Sequence, residues 1–445
     1  MNNSVNLLEG KVINKLLLFA LPIFLSTLFQ QLYSVVDSLI VGNYVGTQAL
    51  AAISSTQSLT FLTVGFFIGT FSGVSVVISK YFGSKKFEVV EDAVATAVIL
   101  GLVFGLLLTI FGVAFTPFLL KIMRCPTDVI DLAISYMRIY FLGVTSLIMF
   151  NTTNGILQAV GNSKLPLIYL IISSLLNIIL DYTFVAKFGF GIQGAAVATV
   201  IAQTVSVILS LRHLLTVDAV YRISINKLKF HKKLIIEMLK LGIPSGIQNS
   251  VISIGNIVVQ SNINLFGSYA MAGSGVYGRI QGFGFIPITS FSIALTTFVS
   301  QNLGAKKYKR VKEGCLASVL MGCGIAITIG IFIYFNAHNL IFYFDDHPEV
   351  IRIGSLQAKI CSLFFCLVAF SHLSAGILRG SGKSAIPMFV MLGFWCIFRV
   401  IYVTITISFI PVIDVVFWAY PITWTLSSIS FIIYLLKANW IHGLD

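Results

Sequence analysis

Apolar residues run in long blocks along this chain, and polar positions gather in short connectors between them. Blocks of bilayer-spanning length, about 20 residues each, recur at 14–42, 49–78, 88–118, 129–154, 164–186, 192–216, 242–266, 270–300, 313–337, 354–378, 385–409 and 414–436. None alternates with period two, and the apolar character continues around the helical wheel. In hydrocarbon the backbone must satisfy its own hydrogen bonds, and blocks of this kind do so as helices, not as barrel strands. The pattern predicts an all-α membrane protein with twelve transmembrane helices. The first block follows Lys11 and Lys15 but is far longer than the apolar region of a signal peptide, and no small-residue cleavage site ends it. It is expected to be a retained first helix.

The composition fits. Of 445 residues, 57% are hydrophobic and 10% charged, with a mean hydropathy of +0.95; a soluble domain carries about 25% charged residues. The formal charge of +13 reads as a topology signal. With alternate connectors assigned to opposite sides, one side comprises the N-terminus, the 80–86 loop, the 164 turn, the 212–240 segment, the 306–312 loop, the 379–383 turn and the C-terminus. These hold 21 of the 29 Lys and Arg residues. The other side holds Lys121, Arg124, Arg138, Lys187, Arg352 and Lys359, while Arg279 and Arg399 lie within spans. The positive-inside rule then places both termini in the cytoplasm of a multi-pass cell-membrane protein. A nucleic-acid partner is not expected, because the basic residues are dispersed over short connectors without an aromatic platform.

An internal duplication organises the blocks. SKYFGSKKFEVV at 79–90 matches SQNLGAKKYKRV at 300–311, GILQAVGNSKLP at 155–166 matches GILRGSGKSAIP at 376–387, and Asp128-Val-Ile matches Glu349-Val-Ile. The offset is 221 residues each time. The chain reads as two six-helix bundles related by a parallel repeat: an N-lobe at 1–215 carrying helices 1–6, a basic cytoplasmic connector at 216–240, and a C-lobe at 241–445 carrying helices 7–12. Pro22 and Pro244 occupy matching places near the starts of spans one and seven, where they are candidate hinges. Gly65, Gly69 and Gly73, at i, i+4 and i+8, and Gly242 and Gly246 around Pro244, are spaced for close helix packing.

Several motifs dissolve on inspection. Gly380-Ser-Gly-Lys-Ser384 ends like a phosphate-binding loop, but Ile377 stands where that loop needs glycine and no strand precedes it, so ATP is not expected. Asn151-Thr-Thr matches a glycosylation sequon at the inner end of a span. Cys125, Cys315, Cys323, Cys361, Cys366 and Cys396 have neither CxxC spacing nor accompanying histidines, so they read as packing residues, and no transition metal is expected. His372, the only histidine inside a span, reads the same way.

The chemistry rests on two acids. Of 16 Asp and Glu residues, only Asp37, in QQLYSVVDSLIV, and Asp181, in LLNIILDYTFV, lie deep in apolar sequence. An ionisable group in hydrocarbon costs a few kcal/mol, and is retained mainly where it pairs, binds an ion or carries a proton. At about 1.5 Å rise per residue, Asp37 lies ~8–13 Å and Asp181 ~9 Å from the outer end of its helix, and Thr199 on helix six lies ~10 Å below that end. Asn177, four residues before Asp181, shares its face. Two carboxylates, an amide oxygen and a hydroxyl suit a monovalent cation, or a carboxylate pair carrying a proton; the alternative is a structural hydrogen-bond cluster.

At these residues the chain resembles the multidrug and toxic compound extrusion (MATE) transporters. The resemblance rests on the duplicated twelve-helix layout, the first-helix run LPIFLSTLFQQLYSVVDSLIVG, the Gly83-Ser-Lys-Lys86 and Gly304-Ala-Lys-Lys307 loops, and Asn177-x-x-x-Asp181. It implies two lobes around a V-shaped cavity, rocking between inward- and outward-open states and exporting mostly cationic organic compounds in exchange for Na⁺ or H⁺. In DinF-like members the cation site combines a first-helix Asp, a fifth-helix Asn and Asp and a sixth-helix Thr, matched by Asp37, Asn177, Asp181 and Thr199. NorM-like members carry acids on helices seven and ten, whereas here Ile252–Val259 has none and span ten offers only His372, so a C-lobe acidic site is not expected. By the repeat offset Asp37 corresponds to Val258, or Val259 through the prolines, Asn177 to Phe398 and Asp181 to Tyr402.

The expected protein is a secondary antiporter for multidrug and xenobiotic export, a monomer in the bilayer with no cofactor beyond the coupling ion. Arg279 and Arg399 either attract anionic groups in the substrate cavity or serve structure by pairing with helix-end carbonyls and snorkelling; the structural reading is favoured. A flippase for a lipid-linked precursor, from the same wider superfamily, is the alternative transporter. A channel would need a polar pore or filter sequence, and an enzyme a nucleophile with its base or an HExxH-type metal set. Neither is present in the sequence.

Overall fold

The computed structural model describes residues 4–123, 125, 129–224 and 229–442; Arg124, Asp128 and Lys227 lie outside the described residues. Regular structure among them is entirely helical. The order is α1 (Val12–Tyr44), α2 (Thr47–Gly83), α3 (Phe87–Ile122), α4 (Ile130–Leu142), α5 (Val144–Ala159), α6 (Lys164–Asp181) continuing into a π-helical turn (Tyr182–Lys187), and α7 (Gly191–Thr216). There follow α8 (Lys232–Asn264), α9 (Ser268–Gly304), α10 (Tyr308–Phe342), α11 (Pro348–Ser362), α12 (Phe365–Gly380), α13 (Ala385–Met391), a second π turn (Leu392–Phe398), α14 (Arg399–Phe409) and α15 (Ile413–Lys437).

Among the described residues, nine helical segments are long and apolar enough to cross a bilayer. Two of the expected spans are broken: α4 and α5 bend by 44° around Gly143, and α11 and α12 by 55°, which raises the number to eleven when each pair counts once. The remaining expected span lies in α8. Its 33 residues suffice for crossing, but Gln248, Asn249, Ser250, Ser253, Asn256 and Gln260 make it more polar than the others. Helices α3 and α10 show the opposite character, with Leu106, Ile110, Phe111, Phe118, Phe332 and Phe335 exposed on their outer faces as a lipid-facing surface requires.

The duplication is visible in the backbone. Helices α2 and α9 are each 37 residues long. The left-handed positions recur in step: Gly46 (φ 102°) with Gly267 (φ 97°), Lys85 (φ 58°) with Lys306 (φ 57°), and Gly161 (φ 84°) with Gly382 (φ 78°). Each pair is 221 residues apart. Lys85 and Lys306 adopt a conformation disfavoured for a side chain with a Cβ, in the matching Gly-x-Lys-Lys turns, so the two copies conserve a strained turn as well as a pattern.

Contacts divide the chain into two units, Met1–Asn6 with Leu21–Gly242 and Leu7–Ala20 with Ile243–Asp445. The division runs through the interior of two helices, crossing α1 two residues before Pro22 and α8 two residues before Pro244. In unit 1 the N-terminal part of α8 is held against α2: a Cβ on Gly73 would meet the carbonyl oxygen of Met238 and lie 2.5 Å from the nitrogen of Gly242. Lys80 Nζ and Tyr81 Oη also donate to Glu237, at 3.2 and 2.8 Å. The surrounding core includes Val77, Ile78, Val94, Ile148 and Ile156. In unit 2 the segment before α1 is gripped by Arg310, whose Nε, Nη1 and Nη2 donate to the carbonyls of Leu7, Gly10 and Glu9 at 3.1, 2.7 and 3.1 Å.

Candidate functional site

Helix α6 is built inside out relative to a soluble helix. Its polar residues Ser173, Ser174, Asn177 and Asp181 are buried along one face, while Ile168, Ile172, Leu175 and Ile179 are exposed on the other. Spacing of three and four residues keeps each set on one face, and in a bilayer the apolar face belongs outside. Asp181 is the last α-helical residue before the π turn, a local widening of the helix that recurs at functional sites.

Asp181 is 0% exposed, and among the described residues neither of its carboxylate oxygens has a hydrogen-bond partner. Helix α1 sets Asp37 next to it, and Asp37 Oδ1 is likewise buried without a partner among the described residues. Two ionised carboxylates are acceptors only, so nothing bonds them to each other until a proton or cation lies between them. Asn177 Nδ2 is 3.4 Å from Thr199 Oγ1 of α7, while Asn177 Oδ1 is buried with no partner among the described residues. Tyr33, one turn before Asp37, lies near both carboxylates and lines the same cavity as Asn177 and Thr199; Tyr136 of α4 approaches both carboxylates as well. The free space in that cavity is about 20 Å³, enough for a water molecule or a monovalent cation and far too small for a drug-sized molecule.

The sequence-derived residues therefore fall into two pairs, Asp37 with Asp181 and Asn177 with Thr199, joined along α6 and through Tyr33. Tyr33 was detectable from its i−4 spacing to Asp37; Tyr136 carried no such signal, because it comes from a different helix. Arg279 is exposed on α9. Arg399 is 1% exposed at the start of α14, so the two arginines occupy unlike environments. Arg379, assigned from sequence to a cytoplasmic turn, reaches back to Ser292 Oγ at 3.1 Å and Gln248 Oε1 at 3.5 Å. His372 packs edge-on to Trp395 at 5.6 Å. All six cysteines are unbridged, and among the described residues no three of His, Cys, Asp and Glu are grouped for a metal ion.

A duplicated, twelve-helix bundle with unpartnered oxygens buried in its first half defines a multi-pass membrane transporter. The MatE family model matches residues 22–183 and again 244–405, and the chain belongs to that family. Each match begins at a proline, Pro22 and Pro244. The probable multidrug resistance protein YoeA of Bacillus subtilis is 30% identical over 380 residues, covering 83% of this chain and 81% of the relative. The probable multidrug resistance protein NorM of Thermotoga maritima is 26% identical over 389 residues, covering 84% and 82%. A multidrug resistance MATE family transporter of the MOP superfamily, solved in an outward-facing conformation, shares the fold with a TM-score of 0.90 at 22% identity, over 97% of this chain and 96% of that one.

Proposed function

We propose that this chain is a cation-coupled antiporter that exports organic, mostly cationic compounds, with Na⁺ or H⁺ binding at Asp37, Asn177, Asp181 and Thr199. The observation that carries the reading is the set of buried oxygens that have no partner among the described residues, Asp37 Oδ1, both Asp181 oxygens and Asn177 Oδ1, the last of them beside a space of ionic size that Tyr33, Asn177 and Thr199 line. Leaving such groups unpaired is costly, and a proton or cation would satisfy several at once. The kinship with proteins named for multidrug resistance supports a drug-like cargo over a lipid-linked one.

Coupling requires that ion and substrate favour different conformations. An ion entering from outside would draw α1, α6 and α7 together around the carboxylates, biasing unit 1 toward a state with low substrate affinity, so that substrate leaves. Pro22 and Pro244 are the hinges in this reading: each lacks the backbone N–H that would complete its helix, and the division between units falls beside each. Both termini face the cytoplasm, and the working protein is a monomer that needs no ATP.

The test is efflux of a fluorescent organic cation from proteoliposomes, with Na⁺ and pH gradients imposed separately, for wild type, Asp37→Asn and Asp181→Asn. Loss of gradient-driven efflux in both variants supports the assignment; undiminished efflux in both removes it.

A further inference from the structure

Arg399 is among the largest fully buried side chains in the protein. Its Nε and Nη2 donate to Thr423 Oγ1 of α15 at 3.2 and 2.7 Å, and its Nη1 donates to Asn256 Oδ1 of α8 at 3.2 Å. The rings of Tyr420 and Trp395 cover it, with centroids 4.8 and 5.4 Å from the guanidinium carbon. Among the described residues the titratable groups around it are Tyr420, Cys361 and Cys396, and it forms no ion pair with a carboxylate. A buried cation held only by neutral oxygens and aromatic faces is an expensive arrangement, and packing alone does not account for it.

Its place in the repeat does. The straight offset of 221 sets Phe398 against Asn177, but the π turn at Leu392–Phe398 holds one residue more than an α-helical turn, because its bonds run from i to i+5. Such a turn moves the register beyond it by one, to the offset of 222 at which the two family matches, 22–183 and 244–405, both begin and end. Arg399 thereby becomes the counterpart of Asn177. Its partners come from α8 and α15, the repeat counterparts of α1 and α7, and Tyr420 is the counterpart of Thr199, because the π turn at Tyr182–Lys187, between Asn177 and Thr199, returns the offset to 221. The same three helices of each half thus meet around one polar point. In unit 1 that point holds carboxylate and amide oxygens without partners; in unit 2 it holds an amide oxygen and a hydroxyl whose partner is a guanidinium.

We propose that Arg399 is a tethered cation, filling in unit 2 the position that a mobile coupling ion fills in unit 1. This rests on the cation-site reading of unit 1. Unit 2 then takes up no ion of its own, and the chain has a single ion site, in unit 1. The aromatic faces of Trp395 and Tyr420 complete the cage as they do around other organic cations.

The consequence is that emptying the position creates a site for a guanidinium ion. The experiment is thermal unfolding of the purified full-length protein in sodium-free choline buffer, with and without millimolar guanidinium chloride, for wild type, Asp181→Asn, Arg399→Ala, Arg399→Met and Arg399→Lys. Arg399→Ala is expected to melt several degrees below wild type and to regain at least half of the loss in guanidinium, while wild type and Asp181→Asn gain nothing. A folded Arg399→Ala protein that responds no more than wild type overturns the proposal. So does stabilisation of wild type, but not of Arg399→Ala, by benzenesulfonate, which would make the guanidinium an anion site. If neither Arg399→Ala nor Arg399→Met folds, Arg399→Lys decides: it keeps a cation there and is expected to fold, and a lysine variant as defective as the methionine one overturns the assignment. Failure of the unit 1 reading appears separately, as efflux that survives Asp37→Asn and Asp181→Asn, and leaves the guanidinium response readable.

Discussion

The contact between α2 and α8 gives a prediction whose size follows from coordinates. A Cβ added at Gly73 would lie 2.5 Å from the nitrogen and 2.7 Å from the Cα of Gly242, and against the carbonyl oxygen of Met238. All three are backbone atoms, so no side chain can swing away, and the helices must part by about 1 Å to reach an ordinary contact distance. Overpacking of this kind costs about 1–3 kcal/mol, while alanine in place of glycine returns up to ~1 kcal/mol of helix propensity. Gly73→Ala should therefore lose about 1–2 kcal/mol, which for a unit of this size lowers the melting temperature by ~2–8 °C. Gly324 of α10 supplies the control: among the described residues nothing lies within 4 Å of a Cβ there, so Gly324→Ala keeps the propensity gain of up to ~1 kcal/mol and should melt slightly higher. Both are read by thermal unfolding of the purified protein under one set of conditions. A Gly73→Ala protein at or above wild type would refute the claim that backbone approach at Gly73 and Gly242 fixes the N-terminal part of α8 before its proline. Equal losses at both glycines would refute it too.

Three further outcomes are expected. Asp181→Asn keeps the side chain's shape and adds a donor that can reach Asp37, so it should fold with stability no lower than wild type. Removing one unit charge about 4 Å from a bound cation weakens binding by about 4 kcal/mol at an effective dielectric of ~20, roughly a thousandfold; ion-protection assays should see this, and retained ion affinity would count against the site. Pro244→Ala restores a backbone donor inside α8, worth up to ~3 kcal/mol of helix stability, so the melting temperature should rise while transport slows; transport at the wild-type rate would remove Pro244 as a hinge. Arg310→Ala removes the guanidinium donors to the carbonyls of Leu7, Glu9 and Gly10, and loss of about 1.5–3 kcal/mol of charged hydrogen bonding should speed deuterium uptake around Leu7–Val12 at least tenfold, against no change if the anchoring is incidental.

The sequence by itself determined the helices and the repeat. Apolar blocks of bilayer length leave the backbone no alternative to helix, and the matching Lys-Lys turns at 85 and 306 announced the duplication before their shared left-handed backbone was visible. Helical spacing also placed Asn177 and Asp181 on one face and Asp37 at similar depth, because rise per residue is a local property. Partners across helices were beyond its reach: Tyr136 comes near the two carboxylates only because α4 packs where it does. Nor could periodicity show that the division between units passes through the interiors of α1 and α8, since both read as unbroken helices. The clearest case is Arg399. Counted along the chain it sits one position past the counterpart of Asn177, and only a π turn, a choice of hydrogen-bond partner that tertiary packing makes, advances it into the position where the other half leaves its oxygens unpaired.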